Sequence, residues 1–149
     1  MSRIIRPESG ATRRNRILRG MVLAIRSTST SGEPGTQPAS DVFAFLALSL
    51  RELEKSVEET ASAWERRSYW LKADQFRQEW AWVGRLRPPL EEALRAGDWD
   101  KASACGIELA TVLAGRRLKV ADSRARPWEG AWRAWQVQQG SSHSPEPKS

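Results

Sequence analysis

The chain has 149 residues, with 24 Lys and Arg against 18 Asp and Glu for a net charge of +6, and eight Trp against three Phe and one Tyr. That length suits one domain of ordinary size with tails. A single cysteine, Cys105, excludes a disulfide framework or a cysteine-built zinc site, and a single histidine, His143, set among Ser and Pro near the C-terminus, excludes a Ser-His-Asp or Cys-His centre.

Residues 1–30 hold seven arginines (Arg3, Arg6, Arg13, Arg14, Arg16, Arg19, Arg26) against Glu8, so this stretch alone accounts for the net charge. Thr12 can cap a helix running to about Ser27, with Ile17, Leu18, Met21, Val22 and Ile25 on one face. Such a short basic amphipathic helix is marginal alone in water. It has to dock on the core, on a partner or on an anionic membrane surface. The Arg-rich, acid-poor composition and the Ser/Thr run after it also fit an organellar transit peptide. Arg outnumbers Lys along the whole chain, however, which weakens that reading. No apolar h-region with a small-residue cleavage site marks a secretory signal.

Residues 27–40 are rich in Ser, Thr, Pro and Gly without apolar periodicity and read as a linker, so residues 1–26 are expected to be a tethered arm. Ser40 or Asp41 then caps a long helical region free of Gly and Pro through Val83. Phe43, Leu46, Leu50, Leu53, Val57, Thr60 and Trp64 alternate at spacings of three and four, the seam of a helix packed lengthwise on another. The phase then shifts to Tyr69, Ala73, Phe76, Trp80 and Val83, so either the helix bends near residues 66–69 or a second face takes over. The longest apolar stretch, residues 42–50, is interrupted by Ser49 and falls well short of the roughly 18 residues of a membrane span.

Gly84, Pro88 and Pro89 are expected to end that region, and a short helix over 90–96 stops at Gly97. Asp98 caps a helix from Trp99 to about Leu118, whose small residues Ala102, Cys105 and Gly106 permit close approach. Residues 93–102 (ALRAGDWDKA) resemble the turn of a tetratricopeptide hairpin; one copy without a repeat supports only a pair of antiparallel helices. A second basic segment follows at 116–126, with Arg116, Arg117, Lys119, Arg124 and Arg126 against Asp122. A final helix over 127–137 carries Trp128, Trp132 and Trp135 at i, i+4 and i+7, favoured as a lid over the bundle with anchors for a partner groove as the alternative, and residues 138–149 read as a disordered tail.

The expected fold is therefore all-α: a small bundle in which a long, possibly bent helix packs antiparallel on a second, with the basic helix tethered to it. Residues 41–137 form the core domain. No Gly-rich phosphate loop, HExxH or EF-hand loop occurs. Glu54 and Glu58 read as a solvated face, and Asp98 and Asp100 as a cap and a first-turn acid. No catalytic residue, metal or cofactor is expected. Residues 63–83 interleave aromatics with Arg66, Arg67, Lys72 and Arg77, the materials of a nucleic-acid surface. Their helical spacing and the acids among them favour a core stripe with flanking ion pairs.

Ala63-Trp64-Glu65-Arg66-Arg67, Tyr69-Trp70 with Lys72-Ala73-Asp74, and Phe76-Arg77 with Glu79-Trp80 resemble a family of small bacterial helical proteins for which no activity is established. The resemblance extends over about residues 41–135. It implies a bacterial cytoplasmic setting and no site.

Two concentrated basic stretches on a neutral body point to a polyanionic partner, although solubility alone would also use them. The expected function is a non-enzymatic interaction protein contacting nucleic acid or a ribonucleoprotein through Arg13, Arg14, Arg16 and Arg19, with Arg117, Lys119, Arg124 and Arg126 as a second contact. The alternative is a helical adaptor or homo-oligomeric scaffold, including a homodimer. It would use the seam and the partner-binding anchors Trp128, Trp132 and Trp135. A membrane-surface anchor ranks third.

Overall fold

A computed structural model describes residues 8–28, 37–120 and 123–142. Among these every regular element is a helix: α1 (Gly10–Ser27), α2 (Gln37–Arg66), α3 (Trp70–Glu79), α4 (Ala81–Ala96), α5 (Trp99–Ala114) and α6 (Ala131–Ser142). The all-α bundle is thus as the periodicity requires. Residues 29–36 of the expected linker and 143–149 of the expected tail, His143 included, lie outside the described residues.

The seam explains why α2 is the central element. Phe43, Leu46, Leu50, Leu53 and Val57 are all buried, and α1, α3, α4 and α6 each pack on α2. Removing such apolar surface from water is the main favourable term holding the bundle together. α1 runs antiparallel to α2, with Gly10 beside Thr60 and Gly20 beside Phe45. α3 and α4 return along it, marked by the Arg77–Glu58 and Arg87–Glu54 pairs. α6 runs in the same direction as α2, from the Asp41–Trp132 contact to the Arg51–Gln138 contact.

The first correction concerns α1. It is packed into the bundle rather than held off it as an arm: Ile17, Leu18, Met21 and Ala24 belong to the core. Of the three places open to a marginal amphipathic helix, its own core is the one it occupies, because that face supplies what its length does not. Its cap is Ser9, whose side chain accepts from the Thr12 N–H at 3.1 Å, one turn earlier than expected.

The phase shift at 66–69 is a break. The Ser68 N–H donates to the Glu65 carbonyl and the Tyr69 N–H to the Trp64 carbonyl, both at 2.9 Å, with Ser68 left-handed at φ 65°. This is the Schellman way of ending a helix, with serine where glycine is usual. α3 and α4 are divided at Trp80, and α4 then passes through Gly84, Pro88 and Pro89, the residues expected to end the long helical region. Gly84 and Arg85, whose carbonyls lose their N–H partners to the two prolines, are solvent-exposed, so water can satisfy them there.

Gly97, left-handed at φ 64°, closes α4, and Asp98 Oδ1 accepts from the Lys101 N–H at 3.1 Å to open α5, as expected. The two helices form an antiparallel pair, joined by Lys101–Glu92 at one end and Arg116 over Trp82 at the other. α5 ends at Ala114, four residues early, and α6 starts at Ala131 after Gly130 (φ 79°) rather than at Pro127. α6 also continues to Ser142, past the boundary at which a tail was expected. Asp41, expected to cap its own helix, instead accepts from the Trp132 N–H at 3.0 Å and caps α6 from across the bundle.

Glu91 is a buried carboxylate shared between helices. Arg51 donates to it from α2 and Arg87 from α4, and Arg51 also lies over the Trp135 ring of α6, 4.6 Å from its centroid. Farther along, Arg77 forks onto Glu58 at 2.8 Å and Glu65 at 2.5 Å, clamping α3 on α2. Those hydrogen bonds hold both carboxyls below their ordinary value of 4.5. A depressed carboxyl stabilises the fold above its unfolded pKa and loses that contribution as pH falls through the folded value. Stability should therefore decline on acidification below about pH 4.5, and Arg77→Gln should make that decline shallower. Urea melts of both proteins from pH 7 to pH 3 measure this; parallel curves would show that the clamp contributes nothing.

Candidate interaction surface

The eight basic residues expected to hold phosphates fall into three environments. Arg14 is buried at 7% exposure. Its Nη1 donates to Ser56 Oγ at 3.2 Å and Thr60 Oγ1 at 2.8 Å, and its guanidinium lies 4.8 Å from the Phe76 ring centroid. Burial pushes its pKa down. It is a core residue, a correction to its place among the phosphate contacts: one basic position of an amphipathic helix faces the gap that the Ser56 and Thr60 hydroxyls leave in the seam.

Arg13 and Arg16 are partly engaged on the surface. Arg13 is 3.8 Å from Glu59, and Arg16 forks onto Glu8 at 3.0 and 3.2 Å, which raises its own pKa and lowers that of Glu8. Arg19, Arg117, Lys119 and Arg124 are exposed, as is Arg126, which is 3.9 Å from Glu129. Arg116, at the head of the second basic segment, lies over Trp80 at 4.1 Å and is part of the bundle.

The tertiary structure brings the two basic stretches together. On one flank of α1, a cleft of about 330 Å³ is shared by Val22, Ile25 and Arg26 with Leu113, Arg117 and Leu118. On the other, a groove of about 480 Å³ is shared by Arg16, Ile17 and Gly20 with Pro127, Glu129 and Gly130. The start of the second basic segment therefore abuts α1, and residues just after its end line the other groove, although about a hundred positions separate them in the chain.

The Trp stripe covers the bundle. Trp135 is 2% exposed, Trp132 packs on Trp99 with centroids 5.6 Å apart, and Trp128 is half-buried against the core. These contacts make the stripe a lid over the bundle, the favoured reading, rather than a free row of anchors, with Arg51 above the Trp135 ring.

Residues 63–83 divide in a way the periodicity did not reveal. Trp64 packs edge-on against Phe76 at 4.9 Å and Trp80 is buried, whereas Tyr69 is 55%, Trp70 63% and Leu71 71% exposed. Tyr69 had been placed in the inward stripe, but the Schellman turn carries it outward. The spacing carried no signal for this: adjacent helical residues such as Ile17 and Leu18 can both be buried, and it is after the turn at Ser68 that the Tyr69 and Trp70 rings lie outside. Arg66 and Arg67, beside them, are exposed and make no ion pair among the described residues.

Among the described residues, no three His, Cys, Asp or Glu side chains come close enough to hold a metal ion, and no helix is long and apolar enough to cross a membrane. Burial pushes the Cys105 thiol up, away from the thiolate a nucleophile needs. Comparison of the chain with protein-family models, curated proteins and solved structures finds no match among them.

Proposed function

We propose that the chain is a non-enzymatic nucleic-acid-binding protein whose contact face is built around α1. What supports this is that Arg117, near the start of the second basic segment, shares a cleft with Arg26 of α1, while Arg19, Lys119, Arg124 and Arg126 are exposed. Each cation set against a phosphate releases condensed counterions, so binding of this kind is driven by charge and is steeply salt-dependent. Arg14 takes no part, and Arg13 and Arg16 contribute only by exchanging Glu59 and Glu8 for phosphate. The adaptor alternative has less to stand on, since the seam from Phe43 to Val57 and the Trp135 ring are enclosed by the chain's own helices.

The test is affinity for a generic nucleic acid as a function of salt, measured by fluorescence anisotropy on the full chain. Four to six phosphate contacts give a log–log slope of roughly −3 to −5. Replacing Arg117, Lys119 and Arg124 together by Gln should flatten that slope by about two to three units and leave the thermal melt unchanged. Absence of binding at low salt, or a slope untouched by the triple variant, would remove this function from the basic face.

A further inference from the structure

We propose that the corner between α2 and α3 is a stacking platform for unpaired bases, with Tyr69 and Trp70 as its ring surface and Arg66 and Arg67 as its phosphate contacts. This rests on the nucleic-acid reading above and adds a substrate class, a single strand or loop rather than a closed duplex.

The rings come first. Of the eight tryptophans Trp70 alone is exposed, and it stands between Tyr69 and Leu71, so three successive large apolar side chains face solvent. Apolar surface of that kind carries a standing cost in water and marks a contact site.

The backbone beneath the rings is held. The Tyr69 N–H is fixed to the Trp64 carbonyl and Ser68 occupies a left-handed conformation that a side chain disfavours. In this turn the residue at the Tyr69 position ordinarily packs back on the helix it has just left. Tyr69 is 55% exposed on a corner whose backbone is hydrogen-bonded in place, so less freedom remains to be lost when a flat partner stacks on it.

Charge complementarity selects the partner. Arg66 and Arg67 are exposed and without an ion pair among the described residues, and Lys72 adds a third cation 4.6 Å from the Trp64 ring centroid. Of the nearby acids, Glu65 accepts from Arg77, Asp74 accepts from Gln78 Nε2 at 3.2 Å and keeps its charge, and Glu58, itself held by Arg77, lines one groove with Glu59 and Arg66. Exposed rings beside exposed cations are what a single strand requires, since every unpaired base offers a π-face and every linkage a phosphate. In a duplex those faces are covered by neighbouring pairs.

The experiment measures anisotropy of the full chain on three labelled probes at one low salt concentration: a 12-nucleotide oligo(dA), its closed duplex, and an abasic strand of equal length. The wild type should prefer oligo(dA) over both others. Trp70→Ala should lower oligo(dA) affinity about tenfold or more and leave the abasic strand unaffected, while Trp70→Phe keeps most of it. Arg66→Gln with Arg67→Gln should flatten the single-strand salt slope by about 1.4 units. Leu71→Ala should do little, because leucine offers no face to stack on. Equal affinity for oligo(dA) and the abasic strand, or unchanged binding in Trp70→Ala, would overturn the platform and leave the basic-face reading standing. Loss of all binding on replacing Arg117, Lys119 and Arg124 with the corner intact would also overturn it. A Leu71→Ala defect as large as that of Trp70→Ala, or a dimer abolished by either change, would make the corner a protein contact instead. If none of the three probes binds, both readings fall together.

Discussion

Trp135→Ala is expected to cost about 3–5 kcal/mol, the range for emptying a buried aromatic site. The ring is 2% exposed and lies beneath Arg51, whose guanidinium is also bound to the buried carboxylate of Glu91. Its loss therefore opens a cavity and withdraws the surface against which Arg51 is held between α2, α4 and α6. Neighbouring positions should respond less. Trp132 is only half-buried, and Trp70, at 63% exposure, should be near neutral. Urea denaturation of the three variants provides the comparison. A neutral Trp135→Ala would mean that α6 is not docked, and would return the Trp stripe to the list of surfaces open to a partner.

Arg14→Ala should destabilise by about 2–4 kcal/mol without changing the salt dependence of nucleic-acid binding. The guanidinium makes two hydrogen bonds to hydroxyls and faces two aromatic rings in a largely dry setting, where such charge-assisted contacts are each worth about 1.5–3 kcal/mol. Removing it also leaves the hydroxyl of Ser56, at 2% exposure, without the donor it accepts from. Equilibrium unfolding measures the first effect and anisotropy titration under folded conditions the second. A flattened salt slope with unchanged stability would place Arg14 on the contact face after all and displace α1 from the bundle.

Arg14 illustrates how the candidate surface was only partly legible. Its neighbours Arg13, Arg16 and Arg19 carry the same charge, and composition ranks all four alike. What separates them is the partner each meets. Glu59 and Glu8 stand near Arg13 and Arg16, solvent near Arg19, and two hydroxyls with two rings near Arg14. The same holds for residues 63–83, where a turn resets the direction of every side chain after it, so that no single helical spacing runs through the segment. The corner's rings were visible as residue types, but their exposure follows from the left-handed Ser68.

Several features were determined by local chemistry and could be read directly. The seam from Phe43 to Trp64 encodes a helix that packs lengthwise, because only a helical repeat returns an apolar side chain to one face every three or four residues. Gly97 followed by Asp98 encodes a stop and a start, since the first relieves the left-handed strain and the second supplies a carboxylate for free N–H groups. What only the tertiary structure decided is which neighbour each element meets. α1 docks on α2 because an amphipathic helix too short to persist alone gains its stability from whatever apolar face lies within reach. α4 continues through Pro88 and Pro89 because Gly84 and Arg85, whose carbonyls they orphan, are exposed residues that water can reach, and Asp41 caps α6 because the fold carries that helix end to it. The meeting of the two basic segments around α1 is of the same kind: charge is set by composition, but its address is set by packing.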